Sequence, residues 1–299
     1  MSTVTGRRAP TLWRQLSETA EMIKVSHSVF ALPFALASMA LAFVAGSGWA
    51  WDAVFWIILA SVTARTAAMA QNRLLDASID ARNPRTERRA LPAGRVTRSF
   101  VLAVVVLSSA VFVFAAAQLN PLCLRLSPVA LAVLLLYPYT KRFTSLSHVW
   151  LGAALGLAPV GAWVAVRGAF VEMETPLLLS TAVMLWTAGF DLIYSCQDVE
   201  IDRREGLCSI PARLGVARAL RLSAVFHVVS IALLAAVLAV NPHVGWLYAV
   251  GVALAGAILI YEHAIVRPDD LSRVNLAFFV LNGLVSLLVG ALTITDALL

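Results

Sequence analysis

Asn72, Asp76 and Asp80 stand four residues apart in the segment Asn72-Arg-Leu-Leu-Asp76-Ala-Ser-Ile-Asp80, and the pattern returns in Asp191-Leu-Ile-Tyr194-Ser-Cys-Gln-Asp198-Val-Glu-Ile-Asp202. On a helix each step of four turns through ~400°, so side chains at i, i+4 and i+8 stack along one face with about 40° of drift per step. The first segment therefore offers an amide and two carboxylates in a row. The second offers Asp198 and Asp202, with Asp191 two turns earlier. Acids converging without basic partners at the same spacing would repel one another and be costly to desolvate, so a cation is expected between them. A donor set of oxygens with no His or Cys suits Mg²⁺, which keeps waters and is commonly completed by phosphate oxygens. The plainer alternative is a pair of solvated helix ends neutralised by nearby arginines. Two copies of the motif, each led by a polar residue inside an apolar run, weigh against it.

Such rows need helices to carry them, and the composition says where those helices lie. Of the 299 residues, 60% are hydrophobic and 13% charged, and the mean hydropathy is +0.84. The 23 Lys and Arg with 17 Asp and Glu are too few to clothe a soluble core of this size, which excludes a soluble enzyme. An all-α membrane protein is expected. Windows of about 20 apolar residues give roughly nine transmembrane helices, near 25–46, 52–71, 99–118, 121–140, 147–166, 176–197, 216–240, 243–265 and 275–295. Residues 1–24 read as a cytoplasmic N-terminal segment without a cleavable signal, with Leu12, Trp13 and Leu16 suited to an interfacial helix. Residues 25–299 read as a single membrane domain.

With the N-terminus inside, 20 of the 23 basic residues fall on the cytoplasmic side, seven of them between Arg73 and Arg98. Only Arg125 and Arg167 lie opposite, and Arg65 falls within a span. The two longest polar intervals, 72–98 and 198–213, then share the cytoplasmic face of an inner (cytoplasmic) membrane. Topology thus accounts for the basic excess, and no nucleic-acid partner is indicated. Cys123, Cys196 and Cys208 have neither disulfide nor zinc spacing.

Asn72, Asp76 and Asp80 match the NxxxDxxxD signature of the UbiA superfamily of intramembrane prenyltransferases, and Asp198 with Asp202 matches its second DxxxD motif. The resemblance extends to Lys24-Val-Ser-His27-Ser-Val-Phe30-Ala-Leu-Pro33 and to Tyr137-Pro138-Tyr139-Thr140-Lys141-Arg142, and so covers nearly the whole chain. Much of the family carries Asp after the motif's Asn, where this chain has Arg73. The run Asn72-Arg73 to Ile79-Asp80-Ala81-Arg82-Asn83-Pro84-Arg85-Thr86 is similar instead to the 4-hydroxybenzoate polyprenyltransferase-like branch, many of whose members serve menaquinone synthesis.

The resemblance implies a helical bundle around a central cavity capped by cytoplasmic loops, where Mg²⁺ and a polyprenyl diphosphate bind and an aromatic acid is prenylated. The acceptor would be 4-hydroxybenzoate, for ubiquinone, or 1,4-dihydroxy-6-naphthoate, for menaquinone. Asn72, Asp76 and Asp80 would hold one ion and Asp198 and Asp202 another, with Asp191 a deeper ligand or a support. Lys141 and Arg142 would clamp diphosphate oxygens, and Arg82 and Arg85 would close from the first cap loop. Arg65 would hold the diphosphate or the acceptor's carboxylate, or else pair with Asp191 or Asp76. Tyr194 would stack on the allylic cation, orient the acceptor, or simply pack. His27 reads as an interior histidine or an aid to ring deprotonation. Asn275 and Asn282, seven apart, would line the cavity or bond between helices.

Other readings are a larger acceptor such as haem, a transporter, or a membrane protein that only binds isoprenoid diphosphates. Carboxylates gathered at one membrane face rather than the midplane count against the transporter.

Overall fold

In the computed structural model, residues 11–23 and 30–299 are described, so Lys24, His27 and the start of the first expected span lie outside the described residues. The described chain is helical, without strands. In order the helices are α1 (Leu12–Ile23), α2 (Leu32–Ala42), α3 (Trp51–Asp80), α4 (Arg98–Leu119), α5 (Pro121–Thr140), α6 (Ser147–Arg167), α7 (Glu174–Ser195), α8 (Val199–Arg204), α9 (Ile210–Leu214), α10 (Val216–Val240), α11 (Trp246–Ile265) and α12 (Asn282–Leu298).

Eight helical stretches among the described residues are long and apolar enough to cross a membrane, which makes this a multi-pass membrane protein. The first of the nine expected spans appears as a shorter apolar helix, Leu32–Gly46. Local signals in the sequence set the boundaries. Gly46 and Gly48 adopt positive φ values of 146° and 68° between α2 and α3. Thr97 caps α4 by accepting from Phe100 N at 3.3 Å, and Asn120 caps α5 by accepting from Cys123 N at 2.8 Å.

The helices pack in a closed succession. α3 lies against α4 and α5, α5 against α6, α6 against α7, α7 against α10, α10 against α11 and α11 against α12, while α2 joins α6 to α12. The window through α7 is 56% buried against 22% for α4, so α7 lies deep and α4 faces outward. Gly152 and Gly156 let α6 approach α7, because a Cβ at either would run into the carbonyl oxygen of Met184 or Ser180. Trp13, Trp51 and Trp246 are exposed, as an interfacial belt requires. Trp163 departs from that pattern. It is buried and donates Nε1–H to the Val171 carbonyl at 3.0 Å.

Candidate active site

α3 runs unbroken for 30 residues, about 45 Å, well beyond what its apolar part needs to span. Asn72, Asp76 and Asp80 therefore occupy its last turns, as their spacing predicts. The opposing segment is built differently. α7 ends at Ser195, a single 3₁₀ turn covers Cys196–Asp198, and α8 carries Asp202. Both segments line one cavity of about 660 Å³, together with Arg65, Arg73, Tyr137, Lys141, His148, Asp191 and Tyr194.

The carboxylates do have basic partners, contrary to the expectation from spacing alone, because those partners come from other elements. Lys141 Nζ donates to Asp76 Oδ2 at 2.5 Å, with Arg142 3.7 Å from Oδ1. Arg89 donates to both Asp80 oxygens at 2.7 and 2.8 Å. Arg85 pairs with Asp198, and Asn83 Nδ2 donates to the same carboxylate at 3.0 Å. Asp191 accepts from His148 Nδ1 at 2.7 Å, while Ile210 N–H donates to Nε2 at 3.4 Å, which leaves the proton on Nδ1.

Arg82 binds Glu205 across the cap, and Arg142 donates to the Leu75 carbonyl at 3.0 Å. Burial works to lower the Arg85 pKa, but its bonds to Asp198 and Tyr194 outweigh this and the net shift is upward. The hydrogen bond from Arg82 holds Glu205 below the usual carboxylate range. The cap loop owes its shape to Asn83, whose Oδ1 accepts from Arg85 N at 3.0 Å, and to Thr86, which donates to the Asp80 carbonyl at 3.1 Å. This turn aims Arg85 back across the cavity.

Arg65 is in ion-pair contact with neither Asp191 nor Asp76; among the described residues its buried Nε has no hydrogen-bond partner. Tyr194 packs and bonds at once. Its ring lies 4.2 Å from that of Phe278, and its hydroxyl accepts from Arg85 Nη1 at 2.7 Å. Asn275 and Asn282 part company. A π-helical stretch, Leu276–Leu281, separates them and adds a residue to the turn. Asn275 lines the cavity, whereas Asn282 is buried between Trp186 Nε1, which donates to it at 2.6 Å, and Glu262, to which it donates at 3.1 Å.

Sequence reasoning gave no site role to Tyr137, His148, Asn83 or Arg89. Tyr137 accepts from Asn72 Nδ2 at 2.9 Å across 65 residues, and His148 meets Asp191 across 43. Separations of that kind leave no periodic trace.

A second cavity of about 380 Å³ lies among α2 to α6 and is lined almost wholly by apolar side chains. It shares Arg65, Met69, Tyr137, Leu151 and Leu155 with the polar one.

The oxygen donors fit a hard divalent ion, and Asp76 Oδ1 is buried without a hydrogen-bond donor. Among the described residues no three carboxylate, His or Cys side chains form a closed cluster; the donors are divided between the end of α3 and the segment leading from α7 into α8.

A polar cavity rimmed by carboxylates and bases, joined to an apolar one inside a helical bundle, defines an intramembrane enzyme for amphiphilic substrates. The model of the UbiA prenyltransferase family matches residues 31–284, and the chain belongs to that family. It is 31% identical over 252 residues, 83% of each chain, to a 4-hydroxybenzoate octaprenyltransferase from Methylobacillus flagellatus. It is 32% identical to the enzyme so named from Thiobacillus denitrificans, over 73% of each chain. Among solved structures it resembles a UbiA homologue from Aeropyrum pernix, with 34% identity and a TM-score of 0.78 over 92% of this chain and 98% of that one. An Archaeoglobus fulgidus homologue bound to DMAPP and Mg²⁺ shares the fold, with 19% identity and a TM-score of 0.73 over 94% and 99% of the two chains.

Proposed function

We propose that this prenyltransferase moves a polyprenyl chain from polyprenyl diphosphate to an aromatic acid, 4-hydroxybenzoate or 1,4-dihydroxy-6-naphthoate, in respiratory quinone biosynthesis. The observation that carries this reading is the junction of the two cavities. A charged head fits among the carboxylates and bases, while an isoprenoid tail fits the apolar chamber beyond Arg65 and Tyr137. The relatives' names support the same acceptor class.

The reaction is an electrophilic aromatic substitution. The donor's C–O bond breaks, diphosphate leaves with the electron pair, a ring carbon forms the new C–C bond, and the ring proton is lost. Asn72, Asp76 and Asp80 on one wall and Asp198 and Asp202 on the other would hold Mg²⁺, which would supply neutralisation of the charge that grows on the leaving group. Lys141, Arg142, Arg82 and Arg85 turn from their present acceptors to the diphosphate oxygens. Arg65, with no carboxylate of its own, binds the acceptor's acid group at the deep end. Among the described residues Asp191, fixed by His148, has no guanidinium or ammonium in contact, unlike Asp76, Asp80 and Asp198, which suits it to receive a proton. Tyr194 presents its ring to the cation.

The basic residues gathered around the cavity mouth support a cytoplasmic cap and N-terminus in the inner membrane. Residues 25–299 act as one membrane domain behind the segment 1–24. The test incubates purified protein with Mg²⁺, a polyprenyl diphosphate and either acid, and reads product mass. An adduct abolished by EDTA is expected; no adduct with either acid overturns the reading.

A further inference from the structure

Every polar group of the Asn282 side chain is in use. Its Oδ1 accepts from Trp186 Nε1 at 2.6 Å, while Nδ2 donates to Glu262 at 3.1 Å and to the Ala277 carbonyl at 3.0 Å. Asn282 and Glu262 are both fully buried. Among the described residues no base is in ion-pair contact with Glu262, so the network draws on its oxygen as an acceptor and not on its charge.

The bond to Ala277 sets the path of the chain. The backbone N–H of Asn282 donates to that same carbonyl, five residues back, which is the bond that makes a π turn. A carbonyl oxygen has two lone pairs, so the backbone and the side chain of one residue hold it together. Without the side-chain bond the ordinary four-residue ladder competes, and a slip by one residue swings the side chains of Leu276–Leu281 round the helix by about 100°.

Two of those side chains, Phe278 and Phe279, line the polar cavity. The Phe278 ring lies 4.2 Å from that of Tyr194 and 5.2 Å from that of Phe190, and Phe190 stands 5.0 Å from the Trp186 ring whose Nε1 holds Asn282. Tyr194 in turn accepts from Arg85, the partner of Asp198. An aromatic wall is thus fixed at one end by Asn282 and meets the diphosphate-binding groups at the other. The donor carbon that loses diphosphate sits beside those groups, where rings in register keep water away from it.

We infer that Asn282 is a positioning residue for prenyl transfer: clamped by Trp186 and Glu262, it holds the π-helical register that keeps Phe278 against Tyr194, so that ionisation of the donor stays coupled to attack by the arene. The inference rests on the proposed prenyl transfer. When the register slips, water reaches the ionised donor, its oxygen forms the new bond in place of the ring carbon, and one proton is lost. The products are then a prenyl alcohol and diphosphate.

The test uses the full chain in detergent with Mg²⁺, geranyl diphosphate and either 4-hydroxybenzoate or 1,4-dihydroxy-6-naphthoate, in water enriched in heavy oxygen. Mass spectrometry reads the ratio of labelled alcohol to aromatic adduct. Alcohol made by capture of the ionised donor carries the label, whereas alcohol made by cleavage at phosphorus does not. The ratio is independent of how much protein is folded, so lost stability alone does not move it. Asn282→Leu raises the ratio about tenfold, the scale of one buried group left unsatisfied. Trp186→Phe raises it in the same sense and stands in if the Leu variant does not elute as a folded species. Glu262→Met also raises it, while Glu262→Gln keeps the acceptor oxygen and stays within about twofold of the wild type. Ser230→Ala removes a buried bond of 2.8 Å to the Ala182 carbonyl, between α10 and α7, and leaves the ratio unchanged.

A ratio unchanged in both Asn282→Leu and Trp186→Phe overturns the inference, as does an equal rise in Ser230→Ala. A rise in Glu262→Gln as large as in Glu262→Met overturns it too. In all these cases the wild type still forms adduct and the prenyl-transfer reading stands. That reading fails on the absence of any wild-type adduct, and the inference fails with it.

Discussion

Asp76 and Asp80 sit on a continuous helix, whereas Asp198 and Asp202 straddle the point where α7 gives way to a 3₁₀ turn and then α8. The interval of four residues is the same in both. On α3 the hydrogen-bond ladder carries the spacing into space, and both acids are buried at 5% and 6% exposure. At the second motif Asp198 has left the helical conformation, with φ −108° and ψ 9°, and side chains of the cap loop hold it instead. One wall is thus placed by its own backbone, the other by Asn83 and Arg85 reaching over from the loop that follows the first. The comparison teaches that a spacing of four defines a face only while the ladder continues.

The largest expected effect tests whether the two walls are equivalent in chemistry. Asp76→Asn and Asp198→Asn each lower turnover by roughly a thousandfold while the protein still folds in detergent, since each removes charge facing the leaving group. Near-normal turnover in either variant would break the equivalence. A smaller effect separates the walls in stability. Lys141→Met leaves Asp76, its side chain only 7% exposed, with Arg142 at 3.7 Å in place of a hydrogen-bonded base, and costs about 3 kcal/mol. Arg85→Met leaves the more open Asp198, 18% exposed, at a cost of about 1 kcal/mol or less. Thermal unfolding of the two variants checks the order, and equal losses count against the distinction.

The smallest effect sharpens the role of the cap. Because Arg82 depresses the Glu205 pKa, the pair's contribution is present above the unfolded carboxylate value, about 4.3, and is lost as pH falls through the lower folded value. Melting curves of the wild type and Arg82→Ala should therefore differ slightly at pH 7 and converge at acid pH. A gap that widens on acidification contradicts the assignment.

Where helices run unbroken, the sequence was readable. The membrane class, the extents of most helices and the row from Asn72 to Asp80 follow from apolar length and a period of 3.6. Legibility stops where the ladder changes or a contact spans the chain. Asn275 and Asn282 look like one face until a π-helical stretch turns them apart. The expectation of acids without basic partners fails because Lys141 lies 65 residues from Asp76, and Arg85 113 from Asp198. His148 gives no local sign that it will meet Asp191.

The ion pairs of the cavity also bear on how the protein is made. A bundle that gathered bare carboxylates at its mouth would need divalent ions at the moment of insertion, and its biogenesis would follow their supply. Here Lys141, Arg89 and Arg85 serve as built-in countercharges for Asp76, Asp80 and Asp198. Because these bases belong to the chain itself, neutralising Asp76, Asp80 and Asp198 while the helices close does not call for a divalent ion.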